Sequence, residues 1–116
     1  MVTIYGIKNC DTMKKARTWL DDNGIAYRFH DYKSDGIDRP HLEAWTDAKG
    51  WETILNRAGT TFRKLDEAER ADLDRGKAIR LMQAQPSLIK RPVLETEDSV
   101  TVGFKPEVYA DLFSNR

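Results

Sequence analysis

Residues 2–31 carry the pattern that most restricts how this chain can fold. Val2-Thr3-Ile4-Tyr5 is β-branched and aromatic, which reads as a strand. Met13, Ala16, Trp19 and Leu20 then recur at helical spacing and predict a helix over 12–22 with one apolar face. Asp11 or Thr12 can cap its start, and Asn23-Gly24 supplies its stop. From Ile25 to Asp31 the sequence alternates as a second strand, with Tyr27 and Phe29 on one side. Two strands separated by a single helix in so short a span form a parallel βαβ unit.

The middle of the chain reads as helical. Asp38 ahead of Arg39-Pro40 is a helix start with proline in the first turn. Leu42, Trp45 and Ala48 form that helix's apolar stripe, and Gly50 ends it. A short helix over Trp51 to Asn56 closes near Gly59, and two more cover Asp66 to Leu73 and Asp74 to Ala84, the second stopped by Pro86. Strands return at Pro92-Val93-Leu94-Glu95 and Val100-Thr101-Val102, joined by a hairpin loop over 96–99. Pro106 opens a terminal helix carrying Val108, Tyr109, Leu112 and Phe113. The order βαβ, helical insert at about 38–85, then ββα predicts one α/β domain over 1–116 with a four-stranded mixed sheet.

Charge excludes some partners. The chain has 19 basic and 19 acidic residues and a formal net charge of +0. There is no bulk electrostatic pull toward nucleic acid or acidic membranes, although local patches can still bind small anions. No apolar run approaches the roughly 20 residues that span a bilayer, and no basic-then-apolar leader pattern precedes Val2. One cysteine rules out an internal disulfide framework and fits a reducing, cytoplasmic setting. A soluble monomer is the expected form.

That cysteine, Cys10, lies between the first strand and the first helix. The thiolate is the nucleophile, and the positive end of a helix stabilises it. An ordinary cysteine has a pKa of about 8.5, and a helix N-terminus can bring it into the physiological range. The competing reading is a small buried hydrophobe. The polar neighbours Lys8, Asn9, Asp11 and Thr12 oppose burial, while the Asp11 charge opposes ionisation. A phosphatase loop would place arginine after five intervening residues, where the chain has Ala16 and Arg17 misses by one. His30 and His41 stand on separate elements and not at metal-ligand spacing with Cys10, so no metal site is expected. A first strand leading to a cysteine at a helix start, with an X-Pro before a later strand, is a thioredoxin-like arrangement.

The segments Tyr5-Gly6-Ile7-Lys8-Asn9-Cys10-Asp11-Thr12-Met13-Lys14-Lys15-Ala16, Leu55-Asn56-Arg57-Ala58-Gly59-Thr60-Thr61, Ser87-Leu88-Ile89-Lys90-Arg91-Pro92-Val93 and Val102-Gly103-Phe104-Lys105-Pro106 go further. In these, the chain resembles the arsenate reductase (ArsC) family, which includes the regulator Spx and the small YffB-like proteins. The resemblance implies a thioredoxin-like, glutaredoxin-like fold with a helical insertion. It makes Cys10 the nucleophile, Arg57 and Arg91 its catalytic cations, and Pro92 a cis-proline. Lys8, Asn9, Thr12, Lys105 and Pro92 are the expected substrate contacts. No bound cofactor is implied. Glutathione is the expected co-substrate, a small oxyanion such as arsenate the alternative substrate, and glutaredoxin a possible protein reductant.

The chain departs from the family pattern at two places. Arsenate reductases carry a third arginine where this chain has Lys105, which keeps the charge but loses the bidentate fork. They also follow their cysteine with Gly-Thr-Ser-Arg, where this chain has Asp11-Thr12-Met13-Lys14. Spx-type regulators carry a C-x-x-C switch, and Met13 occupies its second position here. Two functions follow as expectations. One is a glutathione-dependent thiol oxidoreductase working through one cysteine on arsenate or glutathione mixed disulfides. The other is an Spx-like, non-catalytic binder of RNA polymerase.

Overall fold

A computed structural model describes residues 1–114 of the chain. The backbone divides into two compact units: Met1–Asp31 together with the chain from Arg91 onward, and Tyr32–Lys90. The second unit runs wider at both ends than the 38–85 segment read as the helical insert.

The first unit is built on a four-stranded sheet in the order β2-β1-β3-β4. β1 (Val2–Gly6) pairs parallel with β2 (Tyr27–Asp31), Ile4 facing Phe29. On its other side β1 pairs antiparallel with β3 (Val93–Glu95), Tyr5 facing Val93, and β3 pairs antiparallel with β4 (Val100–Val102). The sheet is therefore mixed, as expected. β2 starts at Tyr27 and not at Ile25, because the Ile25 N–H donates to Leu20 O at 2.9 Å and completes the preceding helix turn.

α1 (Asp11–Asp22) connects β1 to β2, and α8 (Pro106–Phe113) follows β4. Period two along the strands puts Val2, Ile4 and Leu94 on one face. There they form one buried cluster with Met13, Ala16 and Leu20 of α1 and Tyr109 of α8. Full burial of side chains of this size contributes about 1.5–3 kcal/mol each. Tyr109 also meets Trp19 and Phe104 edge-on, at centroid distances of 5.6 and 4.8 Å. Such pairs add about 0.5–1.5 kcal/mol beyond area burial. Trp19, expected in the core, is only half-buried, because it stands at the rim between Tyr109 and Phe113.

The second unit is helical: α2 (Tyr32–Asp35), α3 (Arg39–Lys49), α4 (Trp51–Ile54), α5 (Thr60–Arg63), α6 (Glu67–Arg70), α7 (Arg75–Ala84) and a 3-10 turn over Pro86–Leu88. Asp38 caps α3 by accepting from the His41 N–H, and Asp74 caps α7 by accepting from the Lys77 N–H. α6 is one turn and not the longer helix expected to Leu73. Ala71 is already extended, and Asp72 takes a left-handed φ of 50°. Pro86 stops α7 as expected but then opens the 3-10 turn, which period arguments on three residues cannot reveal. Leu42, Trp45, Ile54, Leu55, Ile79, Met82, Leu88 and Ile89 form this unit's fully buried interior. The segment after α4 is tied to the end of the unit by the Leu55–Ile89 bridge and by the Lys90 N–H donating to Ile54 O at 2.9 Å. No helix among the described residues is long and apolar enough to cross a membrane.

Tyr109 is fully buried, and its hydroxyl has no protein hydrogen-bond partner among the described residues. Burial raises its pKa well above the ordinary tyrosine value. The folded state therefore holds this proton more tightly than the unfolded chain does. Its stabilising effect is complete below the unfolded tyrosine pKa of about 10 and is lost as pH rises beyond it. Tyr109→Phe should equal or exceed the parent in stability at pH 7 by up to about 1 kcal/mol. It should also flatten the loss of stability above about pH 10, as read by urea denaturation at a series of pH values.

Candidate active site

The site is assembled where β1 turns into α1. Gly6 ends β1 against the side chain of Met13 in the first turns of α1. A Cβ on Gly6 would collide with the Met13 thioether and lie 2.7 Å from its Cε. Glycine here is thus a packing requirement that lets the helix start close under the strand end. Lys8 and Asn9 form the exposed turn between the two elements.

Cys10 is the N-cap of α1, with extended backbone (φ −103°, ψ 127°) and partial exposure. Asp11 and Thr12, expected as caps, are instead the first helical residues, because Cys10 O already accepts the Lys14 N–H at 3.0 Å. The backbone N–H groups of Thr12 and Met13 belong to the free first turn beside the Cys10 sulfur and lower the thiol's pKa, although the sulfur makes no side-chain capping hydrogen bond. These are two of the donors that a helix start leaves without intrahelical partners. Thr12 acts on the thiol through its main-chain N–H.

The β1–β3 pairing brings a distant segment to the same place. The Arg91–Pro92 peptide bond is cis, as the resemblance implied, and Pro92 is buried immediately before β3. Pro92 O accepts the Gly103 N–H at 2.8 Å, where Gly103 takes φ 83° to turn out of β4. From this anchored position the Arg91 guanidinium hydrogen-bonds to the Cys10 sulfur.

Burial is the largest single influence on the Cys10 thiol and pushes its pKa up. The Met13 N–H, the Arg91 hydrogen bond, the Thr12 N–H and the Arg91 charge act in the opposite direction. Together they outweigh burial, and the thiol is held below its ordinary range. Four of the residues singled out from the sequence (Cys10, Thr12, Arg91 and Pro92) thus gather at one point, with Lys8 and Asn9 on the adjoining turn. Lys105 is exposed at the N-cap of α8. Arg57 belongs to the second unit, where its guanidinium lies 5.5 Å from the Trp51 ring centroid. Met13 is the residue that sequence reasoning passed over as a site member. It entered only as an apolar helix position and a missing cysteine, yet its N–H is the leading donor to the sulfur.

The histidines fall elsewhere. His30 packs on the Tyr5 ring at 4.9 Å, and His41 is bonded to Asp38 at 2.6 Å in the first turn of α3. No group of three or more potential metal ligands exists among the described residues.

This arrangement has known relatives. The model of the ArsC family matches residues 5–112. The chain belongs to the ArsC family. It is 67% identical to the solved YffB protein, over 96% of this chain and 97% of that one, with a TM-score of 0.94. A solution structure from Brucella melitensis, described as an arsenate reductase (ArsC) related protein, is 59% identical. It covers 97% of this chain and 93% of its own, with a TM-score of 0.76. The global transcriptional regulator Spx of Streptococcus mutans is 27% identical over 110 residues, 92% of this chain and 79% of that protein. The ArsC-family assignment and the thioredoxin-like fold are thereby established. The relatives thus include one described as related to arsenate reductase and one named as a transcriptional regulator.

Three outcomes test the geometry. The iodoacetamide rate of Cys10, followed across pH, should titrate below the ordinary thiol value of about 8.5. Arg91→Ala should move that midpoint upward and slow alkylation at neutral pH, by roughly tenfold per pKa unit. Gly6→Ala should lower stability by about 1–3 kcal/mol in urea unfolding, because Met13 must leave its seat or the helix must shift.

Proposed function

We propose that this ArsC-family protein is a thiol-dependent reductase with Cys10 as its nucleophile and glutathione as its co-substrate. The single observation that supports this reading is the convergence of the Thr12 and Met13 N–H groups and the Arg91 guanidinium on one partly exposed sulfur. Such an arrangement favours the thiolate relative to an ordinary cysteine and leaves it open to a small disulfide.

With a glutathione mixed disulfide, the Cys10 thiolate attacks the glutathione sulfur. A Cys10–glutathione S–S bond forms, the original S–S bond breaks, and the other sulfur leaves as a thiolate. A second glutathione thiolate then attacks the glutathione sulfur bound to Cys10. Glutathione disulfide departs and the Cys10 thiolate is restored. The amide donors and Arg91 stabilise the sulfur anion at the start and end of this cycle. The main chain before Pro92 is suited to pair with the peptide part of glutathione as an added strand. The roles of Lys105 and Arg57 in holding carboxylates or an oxyanion rest on the family resemblance.

Arsenate is the second candidate substrate, supported by the reductase names among the relatives. The same thiolate would attack arsenic with loss of water, and an external thiol would supply the electrons that carry arsenic to arsenite. The likeness to Spx raises docking on RNA polymerase as the contrasting function. Met13 disfavours it, since it is buried against Gly6 and supplies no second thiol for a C-x-x-C switch.

Three assays separate these readings. Cys10→Ser should abolish exchange with glutathione disulfide, and Arg91→Ala should slow it by roughly tenfold or more at pH 7. Exchange unaffected by loss of Cys10 would refute the proposal. Arsenite release with glutathione and glutaredoxin decides whether arsenate is a substrate. Capture of the RNA polymerase α-subunit by the parental protein, with no thiol exchange, would move the assignment to the regulator class.

A further inference from the structure

A groove runs along the outer side of α1, next to the thiol site. One cleft of about 450 Å³ is lined by Lys14, Lys15, Thr18, Trp19, Asp22, Phe104 and Pro106. A second, of about 430 Å³, shares Phe104 as a lining residue and is lined also by Val102, Lys105 and Val108 among others. The walls are pre-formed. Trp19 and Phe104 are both held edge-on by the buried Tyr109, and Trp19 stacks on Phe113 at 6.1 Å. Val108 is one of the two large apolar side chains left exposed among the described residues, at 42%.

Charge along this groove is one-sided. Lys14, Lys15 and Lys105 line it, and Asp22 is the single acid among the lining residues, at the C-terminal end of α1. The lysine end is also the thiol end, since the Lys14 N–H bonds to Cys10 O. Four residues of helix span only about 6 Å. A ligand that complements this surface carries negative charge near the thiol and an aromatic or branched apolar group beyond it. The two clefts share the Phe104 wall, which suits an extended peptide reaching from one to the other.

We propose that the groove docks an acidic, aromatic-bearing peptide segment flanking the cysteine of a protein mixed disulfide, which Cys10 then reduces. This rests on the thiol-exchange reading and supplies its substrate class. In the step itself, Cys10 attacks the glutathione sulfur of the glutathionylated partner. The partner's cysteine leaves as a thiolate, and glutathione regenerates Cys10 as above.

The test uses two fluorescein-labelled peptides with serine at the cysteine position, one Asp-Phe-Asp-rich and one Lys-Phe-Lys-rich, titrated by anisotropy at low salt. The acidic peptide should bind at least about tenfold more tightly, and its affinity should fall as salt is raised. Lys15→Glu combined with Thr18→Glu, both at exposed positions, should weaken it at least about tenfold while exchange with glutathione disulfide stays unchanged. Glutathione release from the glutathionylated acidic peptide should drop in parallel in that variant. Equal affinity for the two peptides, insensitivity to the double variant, or a groove filled by self-association in sedimentation runs would overturn the proposal. Selective peptide binding without glutathione exchange in the parent would instead strike the thiol-exchange reading and leave the docking surface standing.

Discussion

Register between β1 and β3 governs the chemistry of this protein. Tyr5 stands opposite Val93, so the end of β1 and the start of β3 lie side by side. The residues just outside that pair are the turn leading to Cys10 and the Arg91–Pro92 segment. Because side-chain direction alternates along a strand, a slip of one residue would turn Leu94 out of the core cluster and put Arg91 on the wrong side. The same register that buries Ile4 and Leu94 thus sets a guanidinium on a sulfur. Core packing and site geometry are enforced by one set of backbone hydrogen bonds.

The helix start adds the second half of the arrangement. Cys10 occupies a cap position with no side-chain oxygen to satisfy the free amides of the first turn. The Thr12 and Met13 N–H groups instead act on its sulfur electrostatically and favour the thiolate. Opposing this is burial, which is the largest single influence and favours the neutral thiol. A site with the arginine removed would therefore be pulled toward an ordinary or raised thiol pKa. Gly6 allows the cap to sit so close under β1, since any Cβ there meets Met13. Strand, glycine, cysteine and buried methionine form one steric unit.

Long apolar periodicity was readable. Met13, Ala16 and Leu20 were expected on one helix face and are fully buried, and Leu42 and Trp45 behave alike on α3, whereas Ala48, expected in the same stripe, is exposed near the helix end. Some of the shortest helical elements were not readable. α2, α5 and the 3-10 turn each hold four residues or fewer, less than or barely one helical turn, so no period can show. Strand β2 was read two residues too long because Ile25 and Ala26 continue the alternation while their backbone still closes α1. Trp19 looked like core by spacing, but spacing gives direction and not depth.

The sequence by itself determined the βαβ start, the mixed-sheet α/β class, and the position of the lone thiol at a strand-to-helix turn. These are local matters of propensity and periodicity. Arg91 and Pro92 could be named from sequence only through resemblance to a family, because nothing local links residue 91 to residue 10. Only the tertiary structure decided that the Arg91 guanidinium meets the Cys10 sulfur. It also decided that Met13 contributes an amide, and that Trp19 and Phe104 stand as walls of an open groove. Sheet pairing and aromatic packing join residues far apart along the chain, and a linear pattern carries no record of which distant segment will arrive beside it.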